Sequence, residues 1–186
     1  MSRFIIMQTP IAGLSVIQRQ PIRDKRGYLE RMFCSDKLSM LTGRRNIVQI
    51  NHTLTEKAGT IRGMHYQRPP FSEMKLVSCL RGEVFDVAVD LRKDSPTFLN
   101  WHAEILTEQN HRTLMIPEGF AHGFQTLTND CELVYLHTAA YHPEAEAGVA
   151  AQDVELAIKW PRPITECSAR DQQYPPIPSD FTGISL

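Results

Sequence analysis

Residues 75–90 read KLVSCLRGEVFDVAVD, two short runs of strand-forming residues on either side of Arg81-Gly82. In the second run Phe85, Val87 and Val89 alternate with Val84, Asp86 and Ala88, the period of a strand, which places the first three on one face. The glycine between the runs marks a turn, and the pair reads as a β-hairpin. Alternation in the first run sets Lys75 on a face with Val77 and Cys79. A lysine on an apolar face either carries its ammonium to water at a strand end or aims it into a cavity.

Working outward, further strands are predicted over 15–18, 27–34, 47–53, 60–67, 101–106, 113–116, 123–127 and 133–138. One helix is predicted over 35–41, with Ser35-Asp36 as its cap signal and Gly43 as its stop. After Tyr141 the chain turns Ala-rich and then Pro-rich, with a short helix predicted near 153–158. So many short strands without crossover helices exclude a parallel α/β sheet and predict an all-β antiparallel sandwich or barrel. At 186 residues, the chain is read as a single domain over 1–186.

The formal net charge is −1, so no general nucleic-acid or anionic-membrane footprint is expected, and any anion must be met by a local basic cluster. Cys34, Cys79, Cys131 and Cys167 are scattered without a CxxC pair, which reads as reduced thiols of a cytoplasmic protein. The apolar run Phe4-Ile5-Ile6-Met7 is too short for a signal peptide or a membrane span.

Within 60–67, period two places His65 with Gly63 and Gln67, and Arg62, Met64 and Tyr66 opposite. Tyr135 shares a face with Leu133 and His137, and by itself reads as a core tyrosine. Residues 115–124 read MIPEGFAHGF, and their P-x-G-x-x-H spacing resembles the second half of the cupin signature. Cupins are jelly rolls (double-stranded β-helices), which agrees with the strand count, and many bind a metal through an H-x-H pair, a glutamate and a later histidine. Here His65-Tyr66-Gln67 supplies an amide for the second imidazole, and although Glu73 follows at about the right place, Lys75 stands among the would-be ligands. Both features disfavour a divalent cation. A cavity lined by His65, Lys75, His122 and Tyr135 suits proton removal beside a carbonyl instead: a histidine base, a cation for the enolate oxygen and a phenolic acid.

Over nearly its whole length the chain resembles the dTDP-4-dehydrorhamnose 3,5-epimerase family. The likeness is carried by DKRGYLE (24–30), VQINH (48–52), residues 61–67 and 75–92, SPTF (95–98), residues 116–124, Tyr135, Trp160-Pro161 and SARD (168–171). The resemblance implies that His65 is a base paired with Asp171, that Lys75 holds the oxyanion with His122 close by, and that Tyr135 is the acid on the other face of the sugar. It implies Tyr141 as a pocket residue, and Arg62, Gln49 and Asn51 as holding the nucleotide diphosphate and sugar. Arg26 and Glu30 match residues donated by a partner subunit, which implies a homodimer, and such enzymes use no cofactor and no metal. The implied reaction inverts C3, C5 or both in a nucleotide-linked 4-keto-6-deoxyhexose, taking dTDP-4-dehydro-6-deoxyglucose to dTDP-4-dehydrorhamnose. By composition alone Asp171 is a solvated turn residue. His52, His102, His111, His137 and His142 read as surface or structural histidines, and Arg23, Lys25, Arg44 and Arg45 as solvated charges. Departures from the family pattern at Ile50, Leu99-Asn100-Trp101 and residues 148–153 leave the nucleotide, the sugar and the number of centres open. The other readings are a single-centre epimerase or ketoisomerase on another nucleotide sugar, a metal-dependent cupin, and a non-catalytic sugar-binding cupin.

Overall fold

The computed structural model describes residues 3–186 and separates the two runs around Gly82 into different sheets. One sheet runs, in spatial order, β1 (Phe4–Gln8), β2 (Ser15–Arg19), β10 (Arg112–Ile116), β7 (Lys75–Arg81), β12 (Cys131–His137) and β5 (Gln49–Thr55). The facing sheet runs β13 (Glu146–Gly148), β6 (Thr60–Gln67), β11 (Phe120–Thr126), β8 (Glu83–Asp90) and β9 (Trp101–Thr107), with β14 (Glu166–Cys167) parallel to β6. The hairpin β3 (Ile22–Asp24) with β4 (Gly27–Leu29) stands apart. This is a cupin-type jelly roll with two short helices, α1 (Ser35–Thr42) and α2 (Ala169–Gln172).

The expected hairpin of β7 and β8 is therefore corrected. β7 pairs with β10 and β12, β8 with β9 and β11, and Gly82 is the corner where the chain changes sheet. Gly82 sits at φ +79, and a Cβ there would come within 2.9 Å of Cys131 Sγ. The apolar face of β8 is corrected too. Val84 and Ala88 point between the sheets with Val77, Cys79, Leu114, Leu133 and Phe124. Val87 and Val89 point outward, where Val149, Ala151, Leu156 and Ile177 of the C-terminal segment cover them. A strand buried on both faces carries apolar residues at both parities, so periodicity could not say which face looks inward.

The outer face of the first sheet is covered by α1, through Leu38 on Ile17, Leu76 and Leu136. Gly43 ends α1 in the left-handed region as expected, but its N-cap is Cys34 with no side-chain hydrogen bond, and Ser35-Asp36 lies inside the helix. Residues 153–158 form turns, because Asp153 Oδ1 accepts from the N–H groups of Glu155 (2.8 Å) and Leu156 (3.0 Å) while Oδ2 takes Ile177 N–H at 2.6 Å. The helix in the tail is α2, whose first turn is capped by Ser168 Oγ accepting from Asp171 N–H at 3.0 Å. Of the strand expected over 27–34, only Gly27–Leu29 forms. Among the described residues, no helix is long and apolar enough to cross a membrane. All four cysteines are free, and burial pushes the Cys79 thiol up to about 12.

One irregularity builds the site. β6 and β11 pair His65 with His122 and Arg62 with Phe124, so Gly63 and Met64 together oppose Gly123 in a bulge. The extra residue shifts the parity: Ile61 and Met64 both pack under the C-terminal segment, and Arg62 and His65 both line the space between the sheets. Regular alternation set those two on opposite faces, and the bulge overturns that expectation. Gly63 is at φ +125, and a Cβ there would meet Gly123 Cα at 2.5 Å and His122 O at 2.8 Å. Gly63→Ala is expected to destabilise the fold by about 3 kcal/mol, from backbone clash and a disfavoured φ together. A urea midpoint equal to that of the parent protein would contradict this account of the bulge.

Candidate active site

The two sheets enclose an open cavity of about 1320 Å³. β6 and β11 send Arg62, His65 and His122 into it from one side, while β5, β7 and β12 send Gln49, Asn51, Lys75, Tyr135 and His137 from the other. The short helix α2 brings Asp171 beneath β6.

His65 Nε2 lies 2.8 Å from Asp171 Oδ1, and Asp171 Oδ2 accepts the Gly63 N–H at 3.0 Å. Burial by itself would raise the Asp171 carboxyl, but the bonds from His65 and Gly63 prevail and hold it at about 2. An ionised carboxylate only accepts, so Nε2 carries a proton, and the neutral form of the ring has its lone pair on Nδ1, the tautomer of a base. Because the folded-state value lies below the ordinary 3.8, ionised Asp171 adds stability above about pH 4, on the order of 2 kcal/mol, that disappears as the pH falls through about 2. Asp171→Asn is expected to flatten the acid limb of stability between those pH values in urea titrations. A limb as steep as the parent's would show that another carboxylate sets it.

His122 Nε2 lies 2.8 Å from Asp86 Oδ1, a second histidine–carboxylate pair, fully buried. The His122 ring meets the edge of Tyr135, centroids 6.1 Å apart. Burial pushes the Tyr135 phenol well above the ordinary tyrosine range, only partly offset by the Thr53 hydroxyl, so Tyr135 stays protonated and can donate. Lys75 Nζ lies 3.1 Å from Glu73 Oε1, and Glu73 Oε2 lies 2.7 Å from His137 Nδ1. Burial would raise the Glu73 carboxyl, yet His137 and Lys75 together hold it below the usual range.

Arg62 stands at the mouth, its Nε donating to Thr55 Oγ1 at 2.9 Å. Gln49 and Asn51 face the same way on β5 and are joined side chain to side chain at 3.2 Å. Tyr141 is on the rim, its hydroxyl donating to Glu146 Oε2 at 2.7 Å, where Arg170 also donates at 2.8 Å. Arg26 and Glu30 are absent from their own chain's cavity. Arg26 is exposed at the tip of the β3–β4 hairpin beside Asp24, and Glu30 is half-buried and paired with Arg19 at 2.9 Å.

Sequence reasoning missed Asp86 and His137 as site residues and weighed Glu73 only as a would-be metal ligand. Each carried a signal: Asp86 interrupts the inward face of Val84 and Ala88, His137 shares the face of Tyr135, and Glu73 lies two before Lys75. Of the reading of His137 as a surface or structural histidine, the surface alternative is corrected, because it is buried and lines the cavity. Arg23 and Arg45 are engaged charges, Arg23 over the Tyr28 ring and beside His111, Arg45 on Glu118. Gln67 is committed to the fold: its amide donates to Phe71 O and Ala140 O and accepts the His142 N–H.

A jelly roll whose facing sheets present histidine–carboxylate pairs, a lysine and a protonated tyrosine to one cavity is a proton-transferring enzyme of the cupin class. Within that class the chain belongs to the dTDP-4-dehydrorhamnose 3,5-epimerase family, isomerases whose family model matches residues 8–179. It is 40% identical over 173 residues to the dTDP-4-dehydrorhamnose 3,5-epimerase of Salmonella typhimurium, covering 92% of this chain and 94% of that one. Among solved structures it is similar to the dTDP-6-deoxy-D-glucose-3,5-epimerase of Legionella pneumophila Philadelphia 1 in complex with dTDP-4-keto-L-rhamnose. There the TM-score is 0.90 and the identity 36%, over 98% of this chain and 99% of that one. It is also similar to a 3'-monoepimerase of Streptomyces bikiniensis in complex with dTDP-quinovose, with TM-score 0.82 and 30% identity, over 91% and 86% of the two chains.

Proposed function

We propose that this protein epimerises dTDP-4-dehydro-6-deoxyglucose at C3 and C5, giving dTDP-4-dehydrorhamnose. The observation that carries the reading is the placement of His65 and Tyr135 on facing sheets of one cavity. A sugar ring lying between them has a base on one face and an acid on the other. C3 and C5 both flank the C4 ketone, so each bears an acidified proton. His65 takes that proton, the electron pair moves into the carbonyl, and Lys75, with His122 close by, meets the resulting enolate oxygen. Tyr135 returns a proton to the same carbon from the opposite face, inverting the centre, and solvent restores both groups. The scheme uses side chains alone and assigns no step to a metal or cofactor.

Arg62, Gln49, Asn51 and Tyr141 bind the diphosphate and sugar, spending remote binding energy on orientation. Arg62→Ala is expected to raise KM about tenfold or more with kcat little changed, the loss of a charge-assisted phosphate contact. A change confined to kcat would instead place Arg62 at the reacting carbons.

The protein is a cytoplasmic homodimer in this reading. Exposed Ile22, Leu29, Val48, Ile50 and Leu54 support a partner surface, with Leu29 71% exposed. The hairpin next to Glu30 carries exposed Arg26 toward the partner's cavity. Sedimentation at micromolar concentration decides it: a species near twice 21.2 kDa supports the dimer, and a monomer sinks it.

The deciding experiment for the reaction is proton NMR of dTDP-4-keto-6-deoxyglucose with the protein in heavy water. Loss of both the C3 and C5 proton signals together with appearance of the doubly inverted sugar establishes the double epimerase. Loss at one carbon identifies a single-centre enzyme, the activity of the Streptomyces bikiniensis relative. No exchange, with the nucleotide sugar bound, overturns the proposal.

A further inference from the structure

Lys75 has a task in the proposed reaction, but two groups beside it, the half-buried Glu73 and the buried His137, have none. They belong to a chain of hydrogen bonds with a fixed direction. Tyr141 N–H donates to Gln49 Oε1 (3.0 Å), and Gln49 Nε2 donates to Asn51 Oδ1 (3.2 Å). Asn51 Nδ2 meets His137 Nε2 (3.4 Å), and His137 Nδ1 meets Glu73 Oε2 (2.7 Å). The second Glu73 oxygen takes Lys75 Nζ (3.1 Å). Both ends are fixed by chemistry, since a backbone N–H can only donate and an ionised carboxylate can only accept. Every group between them has one consistent orientation, with the His137 proton on Nδ1 and its lone pair on Nε2. A proton on Nε2 would face the Asn51 amide donor to donor. Turning Asn51 would turn Gln49 in sequence and set its NH2 against the Tyr141 N–H.

We infer that Glu73 and His137 are positioning residues, which lock the amides of Gln49 and Asn51 in the orientation that meets the substrate and tie them to the lysine that meets the oxyanion. The inference deepens the epimerase reading and rests on it for the role of Gln49, Asn51 and Lys75. The groups facing His137 are Glu73 and Lys75 from β7 and the loop before it, Asn51 and Gln49 from β5, and Tyr135 on its own strand, stacked at 6.1 Å. Of these only Glu73 is an anion.

Glu73→Gln tests the lock because it keeps the shape and changes the polarity. Lys75, a donor only, claims the new amide oxygen, so the amide NH2 faces Nδ1 and the ring proton must move to Nε2. The first measurement is 15N NMR of the parent's imidazoles at neutral pH, with His137 assigned by the signal lost in His137→Gln. A bare Nε2 and protonated Nδ1 are expected. A proton on Nε2 in the parent overturns the inference even if Glu73→Gln does not fold. In Glu73→Gln the two ring nitrogens are expected to exchange roles, and KM for the nucleotide sugar to rise about tenfold, the equivalent of one or two misdirected amide contacts. An unchanged tautomer, or a KM within twofold of the parent, overturns it. The tautomer is read without substrate, so a parent protein that shows no exchange at C3 or C5 sinks the epimerase reading and is distinguished from failure of the lock.

Discussion

Replacing His65 with alanine is expected to lower kcat about a thousand-fold or more and to abolish deuterium incorporation at C3 and C5 alike. The size follows from what a positioned base contributes, about a hundred to ten-thousand-fold. His122 forms the same kind of pair with Asp86 but is committed to the enolate oxygen in this scheme, and both nitrogens of His137 are engaged by Glu73 and Asn51. Binding should survive, because Arg62, Gln49 and Asn51 are untouched. Asp171 keeps the Gly63 N–H and is the helix's own residue, so the local fold retains its anchor. Exchange in His65→Ala at a rate comparable with the parent would remove His65 from the role of base. Asp171→Asn should fall between the two, since it leaves the imidazole in place while releasing its tautomer.

Tyr135→Phe is expected to separate proton exchange from inversion. Phenylalanine keeps the ring that packs against His122 and His137 and removes only the hydroxyl. His65 still forms the enolate and can return solvent deuterium to the face it came from. The substrate should therefore lose its C3 or C5 proton signals while retaining configuration, and formation of the inverted sugar should drop about a hundred-fold to ten-thousand-fold. The measurement is one NMR time course that follows both label and product. Inversion at the parent's rate would show that the proton on the far face comes from water or from another residue. Loss of exchange together with inversion would mean that Tyr135 is needed before the enolate forms.

These two variants also show how the site was distributed between sequence and structure. His65, Lys75 and His122 could be suspected from the sequence because basic side chains among strand-forming residues are costly unless water or a cavity receives them, whereas Tyr135 by itself read as a core tyrosine and was promoted by the family resemblance. Asp171 was not legible from composition. It sits in a polar tail, and only the capped turn of α2 carries it under β6 to meet His65, 106 residues earlier in the chain. Asp86 and His137 were overlooked, and Glu73 weighed only as a would-be metal ligand, because a charge shielded from water announces itself only when its partner is seen, and each has a partner on another strand or loop.

Most of the strands, the helix stop at Gly43 and the all-β class were determined by the sequence, since alternation and turn residues act over a few neighbours and need no tertiary context. The sheet to which each strand belongs was decided only by the tertiary structure. KLVSCLRGEVFDVAVD reads as a hairpin because a glycine turn between two β runs is locally the same whether the chain folds back on itself or crosses to a facing sheet. The choice is made by distant strands, β10 and β12 on one run and β9 and β11 on the other. The bulge at Gly63 is of the same kind. One unpaired residue reverses the parity of everything beyond it, and its presence depends on how closely β11 approaches. Local periodicity thus determines which side chains can share a face, while long-range pairing decides which face becomes the cavity.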